Sequence, residues 1–327
     1  MNPIKNIKSF GRVGVLMGGF SSEREISLKS GKAVFGALQN EECDVVAIDI
    51  IESHESAIIK QILSAKIDIA FIVLHGQLGE DGAIQLILER LGIPYVGSGV
   101  EASRLAFNKV LSRKVFKDSD VQIAHGIFLE NSDTVDVDRI SVQFDHFPLI
   151  VKPSCEGSSI GINLAQNKDD LASAIDIAKK FGHEVVIEQF IKGRELTVGI
   201  LDENALPVVE IKTGVNFFDF VAKYQSSETQ YIVPAQIPEP ACELLQSQAL
   251  KAYKALGCRG FSRVDFILDD DLNSYVLEIN TIPGFTSSSL LPKAAQAAGI
   301  NFNQLCLKIL ELAHGQKKRT TNTAAIH

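Results

Sequence analysis

Apolar and polar positions along the chain change period several times, and each change marks an element. Val13–Met17 is a short, wholly apolar run that stops at Gly18-Gly19, the pattern of a strand buried on both faces. Beyond it Ile26, Ala33, Val34 and Ala37 form a helical stripe, and Ser22 with Glu25 three residues on predicts a capping box at the helix start. Strand-like runs at Val45–Asp49, Ile69–Leu74 and Pro94–Val96 alternate with helical stretches at Ala57–Ser64 and Ala83–Leu91. That alternation predicts α/β architecture with a parallel sheet, whose sites lie beyond the strands' C-terminal ends. Gly19 and His75 both fall there. His75 opens a glycine-rich turn running to Gly82, and as a site residue or as a tie for its own loop it fits the pattern equally well.

The pattern then becomes less regular. A helix is expected from Ala102 to Lys117, carrying Lys109, and the polar segment Glu130–Asp145 reads as irregular. Strand Pro148–Val151 leads into Lys152-Pro153-Ser154-Cys155-Glu156-Gly157-Ser158-Ser159-Ile160-Gly161. This matches neither the P-loop nor the dinucleotide fingerprint. Its small residues can still fold their NH groups and hydroxyls over phosphates. Helix Lys168–Phe181, strand Glu184–Phe190 and strand Leu196–Leu201 follow. Glu188 and Glu195 lie near strand ends, where they suit adenine-amine and ribose-hydroxyl contacts or ordinary surface positions. Thr213–Tyr231 is aromatic and aperiodic, as a lid would be. After helix Ala241–Leu256 and the segment described next, helices Leu291–Ala298 and Phe302–Ala313 close the fold, and the polar tail is expected to be disordered.

Two alternating runs, Phe261–Leu268 and Ser274–Asn280, flank an acidic turn. A hairpin closing between Asp271 and Leu272 sets Asp265 opposite Glu278 and Arg263 opposite Asn280, with Val276, Glu278 and Asn280 on one face. Opposed carboxylates about 5 Å apart repel unless a cation sits between them, and hard oxygen donors suit Mg²⁺. A solvated face on which Arg263 neutralises Asp265 fits the same pattern. The hydroxyl-rich loop that follows, Pro283-Gly284 and Thr286–Ser289, favours the site for an anionic group.

Composition narrows the class. The chain's 327 residues suffice for two or three domains, and a formal charge of −8 with interspersed basic residues argues against nucleic acid as partner. Five scattered cysteines without a CxxC pair predict reduced thiols and a cytoplasmic setting. The first residues lack an apolar core, so no secretory leader is expected, and no apolar run approaches membrane-spanning length.

Taken together, the segments GGFSSEREISLKSG, LHGQLGEDG, GIPYVGSGV, VKPSCEGSSIG, EQFIKGRELTVGI, AKYQSSETQYIVPA, GCRGFSRVDF and LEINTIPGFTSSSL resemble the D-alanine–D-alanine ligases of the ATP-grasp superfamily. The likeness runs from about Arg12 to Ala313. It implies a three-domain ATP-grasp fold: an N-terminal doubly wound domain (1–98), a central subdomain (99–188) and a C-terminal subdomain (189–315), with ATP clamped between the last two and a tail at 316–327. It implies ligation of two D-alanines through a D-alanyl phosphate, with release of ADP and phosphate, for peptidoglycan precursors. The cofactors it implies are ATP and two Mg²⁺, for which Mn²⁺ can substitute, and the assembly is a homodimer.

The same resemblance assigns roles. Asp265, Glu278 and Asn280 match metal ligands. Lys109, Lys152, Ser158, Glu188, Ile191, Glu195 and Lys223 match the ATP site. Glu23 matches the acid on the first D-alanine's ammonium group, hydrogen-bonded to the Ser158–Tyr224 pair. Arg263 and the Gly284 NH match the oxyanion groups, while His75, Ser289 and Leu290 match substrate contacts. The lid reads Val221-Ala222-Lys223-Tyr224 where relatives often carry Glu-Ala-Lys-Tyr. Tyr224 speaks for a dipeptide rather than a depsipeptide product.

Overall fold

The computed structural model describes residues 7–157, 160–182, 184–212 and 229–324. Its first part comprises β1 (Val13–Gly18), α1 (Arg24–Asn40), β2 (Val45–Ile50), α2 (Glu55–Ala65), β3 (Ile69–Ile72) and α3 (Ala83–Arg90). The three strands form a parallel sheet in the order β2–β1–β3. Every residue of β1 is buried because the strand is covered on both faces. Val13, Val15 and Met17 pack with Val34, Ala37 and Leu38 of α1, whereas Leu16 packs with Ile58 and Ile62 of α2 and Ile84 and Leu88 of α3. The expected strand Pro94–Val96 is reduced to a bridge: Ala70 N donates to Pro94 O (2.9 Å) and Val96 N to Ala70 O (3.0 Å). The capping box expected from Ser22 and Glu25 does not form. The helix starts at Arg24, with Glu23 at the cap position and no side-chain cap. Ser21 turns the corner instead, donating to His75 O (2.8 Å) and accepting from Glu23 N (3.3 Å).

The second part comprises α4 (Val100–Phe107), α5 (Lys109–Asp118), β4 (Gly126–Glu130), α6 (Val137–Ser141), β5 (Leu149–Pro153), β6 (Asn163–Ala165), α7 (Lys168–Ala178) and β7 (Glu184–Gln189). An antiparallel sheet in the order β4–β7–β5–β6 packs against Leu171, Ala174, Ile175 and Ala178 of α7. The single helix expected over 102–117 is two. Asn108 is extended and its side chain accepts from Val110 N (2.9 Å) and Leu111 N (3.0 Å), so a new helix starts at Lys109. The stretch read as irregular also holds α6, which Asp136 caps through Arg139 N (3.0 Å).

The third part comprises β8 (Arg194–Leu201), β9 (Asn204–Ala205), β10 (Val209–Lys212), β11 (Gln230–Ile232), α8 (Glu239–Ala255), β12 (Phe261–Leu268), β13 (Ser274–Asn280), α9 (Leu290–Ala297) and α10 (Phe302–Ala324). Its antiparallel sheet runs β11–β10–β8–β12–β13, with β9 paired to β8. Asp265 pairs with Glu278 and Arg263 with Asn280, as the hairpin reading requires. The turn nonetheless sits half a residue away from the expected point. Phe266 pairs with Val276, so Leu277 is a bulge with no partner. The bulge also changes the facing: Val276 and Ile279 enter the core, while Leu277 joins Glu278 and Asn280 on the cavity side. The tail expected to be disordered from 316 continues α10 as far as Ala324. No proline interrupts it, and one glycine, Gly315, costs a helix only about 1 kcal/mol. No helix among the described residues is long and apolar enough to cross a membrane. Leu305, Cys306, Ile309 and Leu310 of α10 and Leu291, Ala294 and Ala295 of α9 share one apolar cluster with β1 and α1.

Candidate active site

All three sheets contribute to one cavity of about 680 Å³. Its polar floor comes from β12 and β13, because strand alternation turns Val264, Phe266 and Leu268 into the core and leaves Arg263 and Asp265 facing out. Arg263 grips Asp265 with two parallel hydrogen bonds, Nε to Oδ1 (2.8 Å) and Nη2 to Oδ2 (2.7 Å), the strong fork geometry. Thr197 Oγ1 donates to Asp265 Oδ1 (2.6 Å) and Asn280 Nδ2 to Asp265 Oδ2 (3.0 Å). Glu278 meets Lys109 Nζ at 3.3 Å. Burial pushes the Glu278 carboxyl up, but Lys109, Lys152 and Arg263 more than reverse that and hold it below the ordinary range.

Whether these groups suit a cation can be judged from the donors. Asp265 and Glu278 are directly opposed on adjacent strands, and the Asn280 amide, its NH2 engaged on Asp265, leaves an oxygen for a further partner. Among the described residues no three His, Cys, Asp or Glu side chains cluster to enclose a metal by themselves. Two carboxylates and an amide oxygen with an incomplete shell fit Mg²⁺, which is held by few protein groups together with substrate phosphates.

Positive charge lines the neighbouring wall. Lys109 opens α5, its Nζ donating to Glu156 O (2.7 Å). Lys152, near the end of β5, reaches Glu188 Oε1 at 2.5 Å, and Arg113 reaches Glu188 Oε2 at 2.6 Å. All three groups are at most 7% exposed. Burial raises the Glu188 carboxyl, and the adjacent Lys152 and Arg113 outweigh it and hold the group ionised below the ordinary range. Lys152 is pulled down by burial, with Glu188 opposing. Both Glu188 oxygens are therefore engaged by cations, and its side chain holds Lys152 in place at the cavity wall. Apolar side chains complete this end: Ile150, Ile162, Ile191, Ile211, Ile267 and Leu277.

At the opposite end Glu23, at the cap of α1, and His75 and Glu80, in the loop after β3, line the cavity. Glycines let two loops close on Glu23: a Cβ added at Gly76 would lie 3.0 Å from Glu23 Oε2, and one at Gly157 3.1 Å from it. Glu80 accepts from Gly76 N (2.8 Å). Burial, with Glu23 next to it, pushes its carboxyl up to about 8. Both ring nitrogens of His75 are taken by protein, Nδ1 by Ile282 O (3.0 Å) and Nε2 by Ser30 Oγ (3.3 Å). Burial lowers this imidazole to about 4, so it is neutral at physiological pH.

Of the residues singled out in the sequence, Glu23, His75, Lys109, Lys152, Glu188, Ile191, Glu195, Arg263, Asp265, Glu278, Asn280, Gly284 and Leu290 all line this cavity. Ser289 stands at the cap position of α9 and engages Thr286, accepting from its N (3.0 Å). Ser158, Val221, Lys223 and Tyr224 lie outside the described residues. Sequence reasoning missed Glu80, although the motif containing it was visible, and Arg113, whose partner is 75 positions away.

The family model described as the D-ala D-ala ligase N-terminus matches residues 12–62 and 52–98, and that of the D-ala D-ala ligase C-terminus matches residues 115–311. The chain is 46% identical over 305 residues to a D-alanine–D-alanine ligase of Nitrosospira multiformis, covering 93% of this chain and 97% of that one. It is 42% identical over 300 residues to the Geobacter sulfurreducens ligase, covering 91% and 93%. Among solved structures, the D-alanine–D-alanine ligase of Bacillus anthracis complexed with ATP superposes with a TM-score of 0.83 at 35% identity, covering 94% of this chain and 99% of that one. A D-Ala:D-Ser ligase of Enterococcus faecalis superposes at 0.78 with 29% identity, covering 92% and 99%. The chain belongs to the D-alanine–D-alanine ligase family.

Proposed function

We propose that this cavity joins two D-alanines into D-alanyl-D-alanine at the expense of ATP. The observation that carries the reading is the meeting, in one cavity, of the Asp265–Glu278 pair, the Arg263 fork and the buried lysines Lys109 and Lys152. The two lysines receive the phosphates, and the isoleucine-lined end with Ile191 and Glu195 receives adenine and ribose. Asp265, Glu278 and Asn280 would hold Mg²⁺, one ion or two, with Mn²⁺ as a substitute, and the metal would offset the charge of the triphosphate. Glu23 holds the first D-alanine's ammonium group, assisted by Ser158 and Tyr224.

In the first step an oxygen of that D-alanine's carboxylate attacks the γ-phosphorus and ADP leaves, giving D-alanyl phosphate. The free amine of the second D-alanine then attacks the acyl carbon. The carbonyl electrons move onto oxygen, where Arg263 and the Gly284 NH stabilise the charge. The C–O bond to phosphate breaks as the carbonyl re-forms, phosphate departs and the amine loses its proton. Ser289 and Leu290 hold the second carboxylate. Water must stay out, since it would hydrolyse the acyl phosphate, and the glycine-rich loop with Lys223 and Tyr224 serves that purpose. The product feeds peptidoglycan precursor synthesis in the cytoplasm, the assembly is a homodimer, and the units divide at 98 and 188.

Product analysis by mass spectrometry tests this. With ATP, Mg²⁺ and D-alanine, D-alanyl-D-alanine is expected with stoichiometric ADP, and equimolar D-serine or D-lactate should not divert it. A mixed product would reassign the second subsite, and no ADP release would overturn the activity.

A further inference from the structure

The first sheet meets the loop after β13 through one small polar relay. Ile282 O can only accept, so the hydrogen of neutral His75 resides on Nδ1 and is donated to it. Nε2 is then an acceptor, which makes Ser30 Oγ–H the donor of their 3.3 Å bond. The lone pairs of Ser30 Oγ remain free to accept from Phe285 N, which donates at 3.2 Å. All four groups are satisfied in one consistent proton arrangement, inside a region where Ser30 is fully buried and His75 is 5% exposed.

The two peptide units fixed in this way flank Pro283-Gly284 on either side. Ile282 O belongs to the peptide before Pro283, and Phe285 N to the peptide after Gly284. The Phe285 ring is locked as well, against Phe71, Phe261 and Phe302 at centroid distances of 5.7 Å. The peptide carrying the Gly284 NH is thus held between two anchored planes. Ser27, one turn earlier on α1, acts similarly, accepting from Gly18 N (2.9 Å) and donating to Val73 O (2.7 Å).

We infer that Ser30 and His75 are positioning residues for the ligation step: they aim the Gly284 NH at the developing oxyanion, and His75 is not a substrate contact. This rests on the ligase reading of the cavity. It differs from that reading in assigning His75 no ligand and in giving a function to Ser30, which lies in the GGFSSEREISLKSG segment but was given no role there. Groups that orient a reacting donor without touching substrate lose about 10–100-fold when removed, and the loss falls where charge develops rather than in ground-state binding.

The test is steady-state kinetics on Ser30→Ala, Ser30→Thr and His75→Gln, with the affinity of each for a phosphinate dipeptide that mimics the tetrahedral adduct. For Ser30→Ala we expect kcat down about 10–100-fold, KM for ATP within about twofold, and phosphinate affinity reduced by the same factor as kcat. Ser30→Thr keeps the hydroxyl and should recover most of the rate. Melting curves separate folding from positioning. Ser30→Ala with a lowered Tm but unchanged kcat below that temperature overturns the inference, as does a loss confined to the KM for D-alanine in His75→Gln. Wild-type protein that makes no dipeptide overturns the ligase reading and this inference with it, whereas an active wild type with an indifferent Ser30→Ala overturns the inference alone.

Discussion

Replacing Glu188 by glutamine isolates what one buried carboxylate does for the cationic wall. The carboxylate is shared between Lys152 at 2.5 Å and Arg113 at 2.6 Å, and all three groups are nearly inaccessible to water. Removing one partner of a buried pair costs about 3–5 kcal/mol. Glutamine keeps one oxygen to accept from Lys152, so the lower end, about 3 kcal/mol, applies. For a chain of this size that corresponds to a fall in Tm of about 4 °C. The pH dependence follows from the depressed Glu188 pKa. A carboxyl held below its unfolded value contributes fully above the ordinary carboxyl range and loses the contribution as pH falls through the folded value. The gap in Tm between wild type and variant should stay constant from neutral pH to about pH 5 and narrow below that. Lys152 is already lowered by burial and loses the group that opposes this. The variant's KM for ATP should therefore rise about tenfold and worsen as pH is raised, with KM for D-alanine little changed. Scanning calorimetry and ADP release against ATP concentration measure both effects. A variant that melts with the wild type and shows the wild-type KM for ATP at neutral and raised pH would refute the account of Glu188 as the group that keeps Lys152 charged and in place.

Other perturbations separate the remaining parts of the site. Asp265→Ala and Glu278→Ala should each lower turnover at least about a thousandfold with far-UV circular dichroism unchanged, and near-normal rates in either would remove it from the metal site. Glu80→Gln should stabilise the ligand-free protein, because a carboxyl raised to about 8 loses stability as pH rises from its unfolded value to its folded one. The Tm advantage of that variant should grow from about pH 4.5 to 8 and then level off. Asn108→Ala removes the cap of α5, and a loss of about 1 kcal/mol, or about 1–2 °C in Tm, is expected. Because Lys109 starts that helix, its KM for ATP should rise as well.

The hairpin at the centre of the site could be read from sequence because period-two alternation and charge placement agree there. Arg263, Asp265, Glu278 and Asn280 take up the pairing that the turn requires. Leu277 escaped notice since an apolar residue fits either face, and only the partner strand reveals that a residue is unpaired. Asn108 was hidden for a related reason: the apolar stripe runs on across it, and a cap in mid-stripe looks like a polar surface position. For Glu188 the local pattern suited a nucleotide contact and a surface position equally, and the nucleotide contact came from the family likeness. Its ion-pair partners, Arg113 and Lys152, lie 75 and 36 positions away. The acids and cations of the cavity were legible as chemistry. Their pairing was not, because it is set by packing between sheets distant in the chain.

The apolar cluster shared by β1, α1, α9 and α10 bears on how the polypeptide acquires its structure during synthesis. The strands of the first sheet are complete once residue 72 has been made, yet the cluster on one of its faces includes side chains as far on as Leu310 and Ala313. Translation at about 5–20 residues per second leaves roughly 240 residues, and so about 10–50 s, between the two events. Throughout that interval part of the nascent sheet's apolar face has no intramolecular cover, and a helix made roughly 240 residues later completes the core begun there.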